Sequence, residues 1–386
     1  MKQVTLLLAG LLLGFTFSAN GYAPAIIARP IAPIDSLTKK ALIKALDAFL
    51  LQKENDNDKN KFVLKEDRLA TYALLDEMKG VEKNPKLKDI GYYKAYLTNI
   101  VDLNNNSFLI QLSYIGINEK AAALRASFRF MAKKADTQFY FFSTLKQNTL
   151  AWRSKKINNI NFHFKDTLDL ATAKDYLKTV NSFDKRLKLP PLPFEFYFCD
   201  NFPDALQILG VDYKSNLNGI KYDDITSHDN NTTLELDGGY TDTKRFDAHD
   251  LWHDRLHRVM SVDVINRPVD EGCAYLYGGS WGISWPDILA TFKKYAADHP
   301  NADWQKLYTD NTNLTDGDKS LKIAYAINAL IVQKIEKEKG FDPVMVLLSC
   351  GKHEPGDDNY FTALEKVTGI TKIGFNSAVW GLIKAD

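Results

Sequence analysis

The pattern of hydrophobic and polar residues changes within the first 165 residues from helical spacing to strand-like runs. At 36–51, apolar residues three and four positions apart predict a helix, and a second is predicted at 68–78, after a charged loop at 52–61. Strand-like runs follow at 96–101, 107–115, 123–132, 138–143 and 158–164. Helices followed by consecutive strands predict an α+β domain, with helix packed on an antiparallel sheet.

The region after residue 165 begins with mixed elements and ends in helical patterns. We predict a helix at 168–180, a proline-rich lead at 189–193 and a strand at 194–199. A short helix at 205–209, loops at 216–218 and 228–231, and a strand at 232–236 follow. Helical patterns return at 325–339, ending at Gly340, then at 344–349 and 361–368, before a closing Trp380. The sequence therefore predicts two folded domains, 26–165 and 166–386.

Residues 1–22 have the pattern of a secretory signal peptide. A basic start at Lys2 precedes an apolar run at 6–17, and small residues follow that run. The run is too short to span a bilayer as a helix, and no other segment has the required length and hydrophobicity. We therefore expect an exported protein, periplasmic or secreted, without a membrane anchor.

Composition narrows the classes of partner. The chain has 49 basic and 48 acidic residues, a net charge of +1, which argues against a nucleic-acid partner. Its three cysteines, Cys199, Cys273 and Cys350, form no disulfide framework, although one bridge is possible, and their apolar neighbours predict buried free thiols. The hydrophobic content of 45% suits folded domains, and nothing in the sequence specifies an oligomeric state.

Three of the seven histidines lie within nine residues, at His249, His253 and His257. Histidines four apart on a helix project from one face, close enough to share a divalent metal. A carboxylate between such a pair lies beside the metal, where it can act on a bound water. No proline interrupts 241–248, so we expect one helix through the cluster, with Asp242 or Thr243 as its N-cap.

Two ligand pairs fit this spacing. In the first, His249 and His253 bind the metal and Asp250 has the position of a general base. In the second, His253 and His257 bind it and Asp254 has that position. One ion cannot be bound by all three histidines, because the first and last lie about 12 Å apart along the helix axis.

A catalytic zinc needs a third protein ligand, and Glu271 is the candidate. Pro268 predicts the start of a second helix, which places Asp270 and Glu271 near its positive end. Other interpretations remain open at this point. Glu271 is also an ordinary acid for a first helical turn, and the histidine cluster is compatible with a polar helix face around Trp252.

The motif His249-Asp250-x-x-His253, followed after a spacer by Asp270-Glu271-Gly272-x-Ala274, resembles the gluzincin (peptidase MA-like) zinc metallopeptidases. Members carry His-Glu-x-x-His and a Glu-Gly-x-Ala helix that supplies the third ligand. The resemblance covers about 165–386, because the order of strands before the motif and helices after it is also similar. It favours the first ligand pair, and it implies Zn²⁺ held by His249, His253 and Glu271.

The resemblance also implies how a peptide or protein substrate is bound. An edge strand beside the site pairs with an extended peptide in such clefts, and we expect the strand at 232–236 to take this position. Members often stabilise the oxyanion with a Tyr or His from the helical half, for which Tyr325 is one candidate here.

This chain departs from the family at the base position, where Asp250 replaces the usual Glu. Aspartate is one methylene shorter, and a misplacement of about 1 Å can cost about a hundredfold in rate. Metal binding tolerates the change, because the histidines hold the ion. Three functions follow: a working hydrolase of peptide bonds, a metal-binding but catalytically impaired relative, or a non-enzymatic exported binding protein. In the last, the domain at 26–165, which is similar to cystatin-like folds, would supply the binding surface.

Overall fold

The computed structural model describes residues 34–119, 121–229, 232–239, 246–317 and 319–385. Within these residues the chain is α+β, as predicted, and divides into two compact units. The first contains the described residues up to Asn148 together with Gln207–Asn218, and the second contains Thr149–Leu206 and the described residues from Gly219 onward. The predicted signal peptide at 1–22 lies outside the described residues. No helix in the described ranges combines the length and apolar character that crossing a membrane requires.

The first unit consists of helices and an antiparallel sheet. Asp35 caps the first helix, because its carboxylate accepts the backbone N–H groups of Leu37 and Thr38. The helices are α1 (Ser36–Leu51), α2 (Arg68–Met78) and the short α3 (Leu145–Asn148). The strands are β1 (Lys94–Asp102), β2 (Ser107–Asn118), β3 (Ala121–Ala135), β4 (Gln138–Ser143) and β8 (Val211–Lys214), and β8 pairs with β3.

The core of the first unit lies between α1 and this sheet. The buried Phe49 ring of α1 lies 4.9 Å from the ring of Phe141 on β4 and 5.9 Å from that of Phe130 on β3, between centroids. Strand β4 alternates half-buried and buried residues, the pattern of a strand with one face on a core. The predicted helix-on-antiparallel-sheet arrangement is confirmed, whereas the similarity to cystatin-like folds stays a prediction.

The second unit has its own five-stranded sheet. In spatial order its strands are β5 (Arg153–Ile157), β6 (Ile160–Phe164), β7 (Phe194–Phe198), β10 (Thr233–Asp237) and β9 (Asp224–His228). The middle three strands are parallel, and each outer strand is antiparallel to its neighbour. Helix α4 (Leu170–Leu187) joins β6 to β7, and the ring of its buried Tyr176 lies 4.5 Å from the ring of Phe196. Helix α5 (Phe202–Leu209) follows β7, and its last three residues are assigned to the first unit.

Eight further helices complete the second unit within the described residues. They are α6 (Ala248–His257), α7 (Arg267–Gly278), α8 (Trp285–Asp298), α9 (Trp304–Thr309), α10 (Ile323–Lys339), α11 (Asp342–Leu348), α12 (Asp358–Thr368) and α13 (Phe375–Ala385). Helix α10 ends at Gly340, as predicted, and ten of its residues are buried. It is therefore a core helix, and α7 packs directly against it: a methyl group on Gly272 would lie 2.5 Å from the Cβ atom of Asn328.

Three details of the sequence interpretation were wrong. The predicted domain boundary at 165/166 falls too late, because β6 pairs with β7 and so belongs, with the unpredicted β5, to the second unit. The strand predicted at 232–236 is not an edge strand, because β10 lies between β7 and β9 and all five of its residues are buried. His228, assigned to a loop, is the last residue of β9.

Candidate metal centre

Helix α6 carries the histidine cluster, as predicted, but it begins later than expected. Its N-cap is Asp247, whose carboxylate accepts the backbone N–H of His249 at 2.8 Å. The predicted caps, Asp242 and Thr243, lie outside the described residues. The buried Leu251, Trp252 and Leu256 fix which side of α6 faces the core, so His249 and His253 share the other side.

Helix α7 supplies the acidic residues from its first turns. Pro268 lies at its start, as predicted, and Asp270 and Glu271 follow. At the other end of α7, Gly278 lies against the start of α6, where a methyl group would come within 2.3 Å of the backbone nitrogen of His249. Only glycine allows the two backbones to approach this closely, and that approach brings their side chains to a common point.

The structure brings together the three predicted ligands. The Nε2 atoms of His249 and His253 lie 3.3 Å apart, and the Nε2 atom of His249 lies 3.5 Å from a carboxylate oxygen of Glu271. One ligand atom from each of the three residues lies within 4.8 Å of the other two. Two nitrogens bound tetrahedrally to zinc at about 2.0–2.1 Å are themselves about 3.3 Å apart. The residues present therefore fit a zinc ion.

The second nitrogen of each histidine is held by an acceptor. His249 Nδ1 donates to the carbonyl oxygen of Gly279 at 2.7 Å, and His253 Nδ1 lies 3.0 and 2.9 Å from the two carboxylate oxygens of Asp270. A carbonyl only accepts, so Nδ1 of His249 carries a proton and its Nε2 atom is the one available to a metal. Such outer contacts orient metal-binding imidazoles and make them more basic.

Charges within the cluster shift the pKa values of two ligands in opposite directions. Burial disfavours the charged imidazole of His249, but hydrogen bonds to Glu271 and Gly279 outweigh burial and raise its pKa to about 9. Burial also opposes ionisation of Glu271, yet the two histidines and Arg267 hold the pKa of this carboxyl below its ordinary value. Without an ion, the site is thus a protonated imidazole paired with a carboxylate, and a metal cation bound there would have to replace that proton.

The alternative pair, His253 and His257, forms no ligand group in the described residues. His257 is exposed, and its ring centroid lies 6.4 Å from that of His253. Asp254 faces the opposite direction, since its charge acts on Tyr176, Asp184 and Glu235, all of which are buried. The structure therefore assembles the first pair only.

Asp250 lies in the first turn of α6, beside both histidines. Its charge interacts with His249 and His253, which favour the carboxylate. Partial desolvation by the surrounding protein and repulsion from Asp247 outweigh these histidines and raise its pKa. The raised pKa makes this carboxylate a stronger base than an ordinary aspartate.

Sequence reasoning missed the roles of several neighbours. Asp270 was noted only as a helix-start acid, yet it also accepts the indole N–H of Trp252 at 3.0 Å and so connects both helices. Tyr325 interacts with Glu271 and Arg267, and its ring lies 5.6 Å from that of Tyr275. These contacts join residues far apart in sequence, so no local pattern could have indicated them.

No protein-family model matches the chain, and no curated protein matches it significantly.

Proposed function

We propose that this protein is a zinc-dependent hydrolase of peptide bonds. The observation that supports this function best is the convergence of two Nε2 atoms, 3.3 Å apart, with the Glu271 carboxylate. Two imidazoles and one carboxylate are a typical ligand set of a catalytic zinc, and they leave a position for water or substrate. The motif sequence and the approach of α7 to α6 further support a gluzincin-like arrangement of the second unit.

Each residue has a distinct role in this proposal. His249, His253 and Glu271 would hold Zn²⁺, which polarises carbonyl oxygens and lowers the pKa of water when bound. Asp250 would accept a proton from the attacking water molecule and pass it to the leaving amine. Asp270 and the Gly279 carbonyl keep the imidazoles in the orientation that the ion requires. Tyr325, beside Glu271, is a candidate donor to the developing oxyanion.

A peptide in extended form is the substrate that suits this unit. Because β10 lies inside the sheet, it cannot pair with a peptide, and the end strand on that side of the sheet is β9. Backbone groups along an end strand can add a further strand from a peptide. We therefore propose β9 in place of β10 as the peptide-pairing strand.

Zinc content is the first test of this function. We expect about one zinc per chain by mass spectrometry of purified protein, and less than a tenth of that in His253→Ala. His257→Ala is the matched control, since His257 lies one turn further along the same helix and outside the ligand group. Equal zinc in wild type and His253→Ala would reject the ligand assignment.

Peptide hydrolysis is the second test, and Asp250 is the residue to vary. Extending it by one methylene in Asp250→Glu is expected to raise the rate by about a hundredfold if the shorter acid limits proton transfer. Asp250→Asn keeps the shape without the base and is expected to abolish the rate. If Asp250→Glu binds zinc but hydrolyses no peptide in a broad screen, the protein is a metal-binding relative without catalysis.

The pattern of 1–22 supports export, which is tested by N-terminal sequencing of protein recovered outside the cytoplasm. A non-enzymatic binding function would be favoured if the unit containing β1–β4 retained a peptide or protein ligand after the zinc site had been removed.

A further inference from the structure

A cavity of about 560 Å³ opens beside the candidate metal centre. Two of the proposed ligands, His253 and Glu271, line it together with Asp270. If a peptide substrate were bound at the metal, the side chain of a residue next to the scissile bond would therefore reach this cavity. The volume lies in the range of small-molecule sites, which is ample for one amino-acid side chain.

The cavity is preformed by backbone hydrogen bonds between two segments. The segment joining α6 to α7 meets the end of α11 and the residues after it. Asn266 N donates to the Leu348 carbonyl at 2.8 Å, and Gly351 N donates to the Val264 carbonyl at 3.1 Å. The side-chain amide of Asn266 donates to the Gly351 carbonyl at 2.9 Å. Both walls are thus fixed relative to α7, and binding there would need little rearrangement.

The cavity combines an apolar wall with positively charged side chains. Val262 and Ile265 supply the apolar part, and Arg267 and Lys352 supply permanent positive charge. The acids in the lining are already engaged, since Asp270 accepts from His253 and Trp252 and Glu271 faces His249. A bound Zn²⁺ would add positive charge beside the cavity.

The two cations can accept a new partner at small cost. Lys352 pairs with Asp263 at 2.7 Å, but both side chains are mostly exposed, 63% and 78%, and such surface pairs contribute little. The side chain of Arg267 is 77% exposed, and its Nε atom lies 3.4 Å from a Glu271 oxygen. A guanidinium has five N–H donors, so contacts to Glu271 and Tyr325 leave others available.

We propose that this cavity is a specificity site for an acidic substrate side chain next to the scissile bond. The methylenes of a glutamate would pack on Val262 and Ile265, and its carboxylate would meet Arg267 and Lys352. This inference rests on the proposed function, because it places the side chain relative to a metal-bound peptide. It narrows the substrate class to peptides with an acidic residue beside the bond that is cut.

Peptide hydroxamates test the site without requiring turnover, because the hydroxamate group binds zinc directly. Two series carry the test side chain (Glu, Gln, Leu or Lys) on either side of the hydroxamate, and their binding to zinc-loaded full chain is measured by calorimetry. In one series we expect Glu to bind at least about tenfold more tightly than Gln, since hydrogen bonds to charged groups are the stronger ones. Lys is expected to bind most weakly.

Variants of Arg267 and Lys352 test whether these two side chains cause the preference for Glu. Lys352→Ala and Arg267→Ala are each expected to reduce the Glu-over-Gln ratio several-fold, with zinc content checked because Arg267 contacts Glu271. Lys352→Glu should shift the preference towards Lys. Lys294→Ala is the control, since Lys294 is also mostly exposed and ion-paired, with Asp298 on α8, but lies outside the cavity.

The possible outcomes separate this inference from the proposed function. Zinc binding and hydroxamate binding with equal affinity for Glu, Gln and Leu would overturn the acidic specificity and leave the metal centre intact. Persistence of the Glu preference in the Arg267→Ala, Lys352→Ala double variant would also overturn it. Absence of zinc and of any hydroxamate binding would instead reject the proposed function, and the specificity site with it.

Discussion

The two sides of helix α6 differ in solvent exposure and in the contacts that their side chains make. On the metal side, His249 and His253 are partly accessible, with 14% and 20% of their side chains exposed. On the core side, Arg255 is 2% exposed, and its guanidinium binds the buried Asp184 of α4 at 2.7 and 2.5 Å. A solvent-reachable candidate metal site is thus carried by a helix whose opposite side is fixed by a buried ion pair.

Helix α6 must therefore combine an accessible side with a tightly packed side. Metal ligands need access for ion and substrate, whereas their positions depend on packing that excludes water. Burial raises the pKa of Asp184, and the charge of Arg255 partly offsets that effect. Breaking the core side should therefore reduce stability first, while changes on the metal side should alter metal affinity with little effect on folding.

The largest effect is expected from Arg255→Ala, which leaves Asp184 as a buried charge without its partner. We expect the free energy of unfolding in urea to fall by about 3–5 kcal/mol. The double variant Arg255→Leu, Asp184→Leu should recover much of this loss, because it removes both charges together. An unchanged unfolding midpoint in Arg255→Ala would show that the pair does not hold α6.

A smaller effect is expected on the metal side from Asp270→Ala. This change removes the acceptor that orients His253, so zinc affinity should fall by about 10–100-fold, as measured by chelator competition. Asp270→Asn retains an oxygen and should lose less. Asp287→Ala, in the first turn of the neighbouring α8, is the control and should leave zinc affinity unchanged. Full affinity in Asp270→Ala would contradict the orienting role.

Zinc affinity should also depend on pH, because His249 must lose a proton to bind. With its pKa raised to about 9, the imidazole is protonated at neutral pH in the ion-free protein. Affinity should therefore rise by up to about tenfold per pH unit below pH 9 and level off above it. Calorimetry at pH 7.5 in buffers of different ionisation enthalpy should detect about one proton released per zinc. Zero release would contradict the elevated pKa.

The smallest effect concerns the core behind α6, where Glu235 accepts a hydrogen bond from Tyr176 at 2.6 Å. Burial and nearby acids raise the pKa of Glu235 well above its usual value. The folded state then holds a proton that the unfolded chain releases, so this contribution to stability is complete below about pH 4.3 and is lost as pH rises. Glu235→Gln should remove this pH-dependent loss and raise the free energy of unfolding by on the order of 1 kcal/mol at pH 7.

Urea unfolding between pH 5 and 8 measures this difference. The wild type should lose stability relative to Glu235→Gln as pH rises, whereas Glu338→Gln, at an exposed ion pair on α10, should run parallel to the wild type. Parallel curves for Glu235→Gln and wild type would show that the carboxyl does not retain its proton.

Local patterns predicted most elements of both units. The bounds of α1, α2 and β4 agree with the predictions, because each has a clear apolar period and a distinct end. The prediction that β10 is an edge strand was wrong for a different reason. Its short alternation of polar and apolar residues, Thr-Leu-Glu-Leu-Asp, does not tell an edge strand from an inner one, and only its pairing with both β7 and β9 decides between them.

The sequence alone determined the ligand candidates, because histidine spacing on a helix and a helix-start acid follow from local geometry. It left the choice between His249 and His257 to a family resemblance. Tertiary structure decided that choice through the close approach of α7 to α6 at Gly278, which brings Glu271 to His249. Asp270, the Gly279 carbonyl and the Asp184–Arg255 pair likewise join distant parts of the chain, and such contacts depend on packing that no local pattern records.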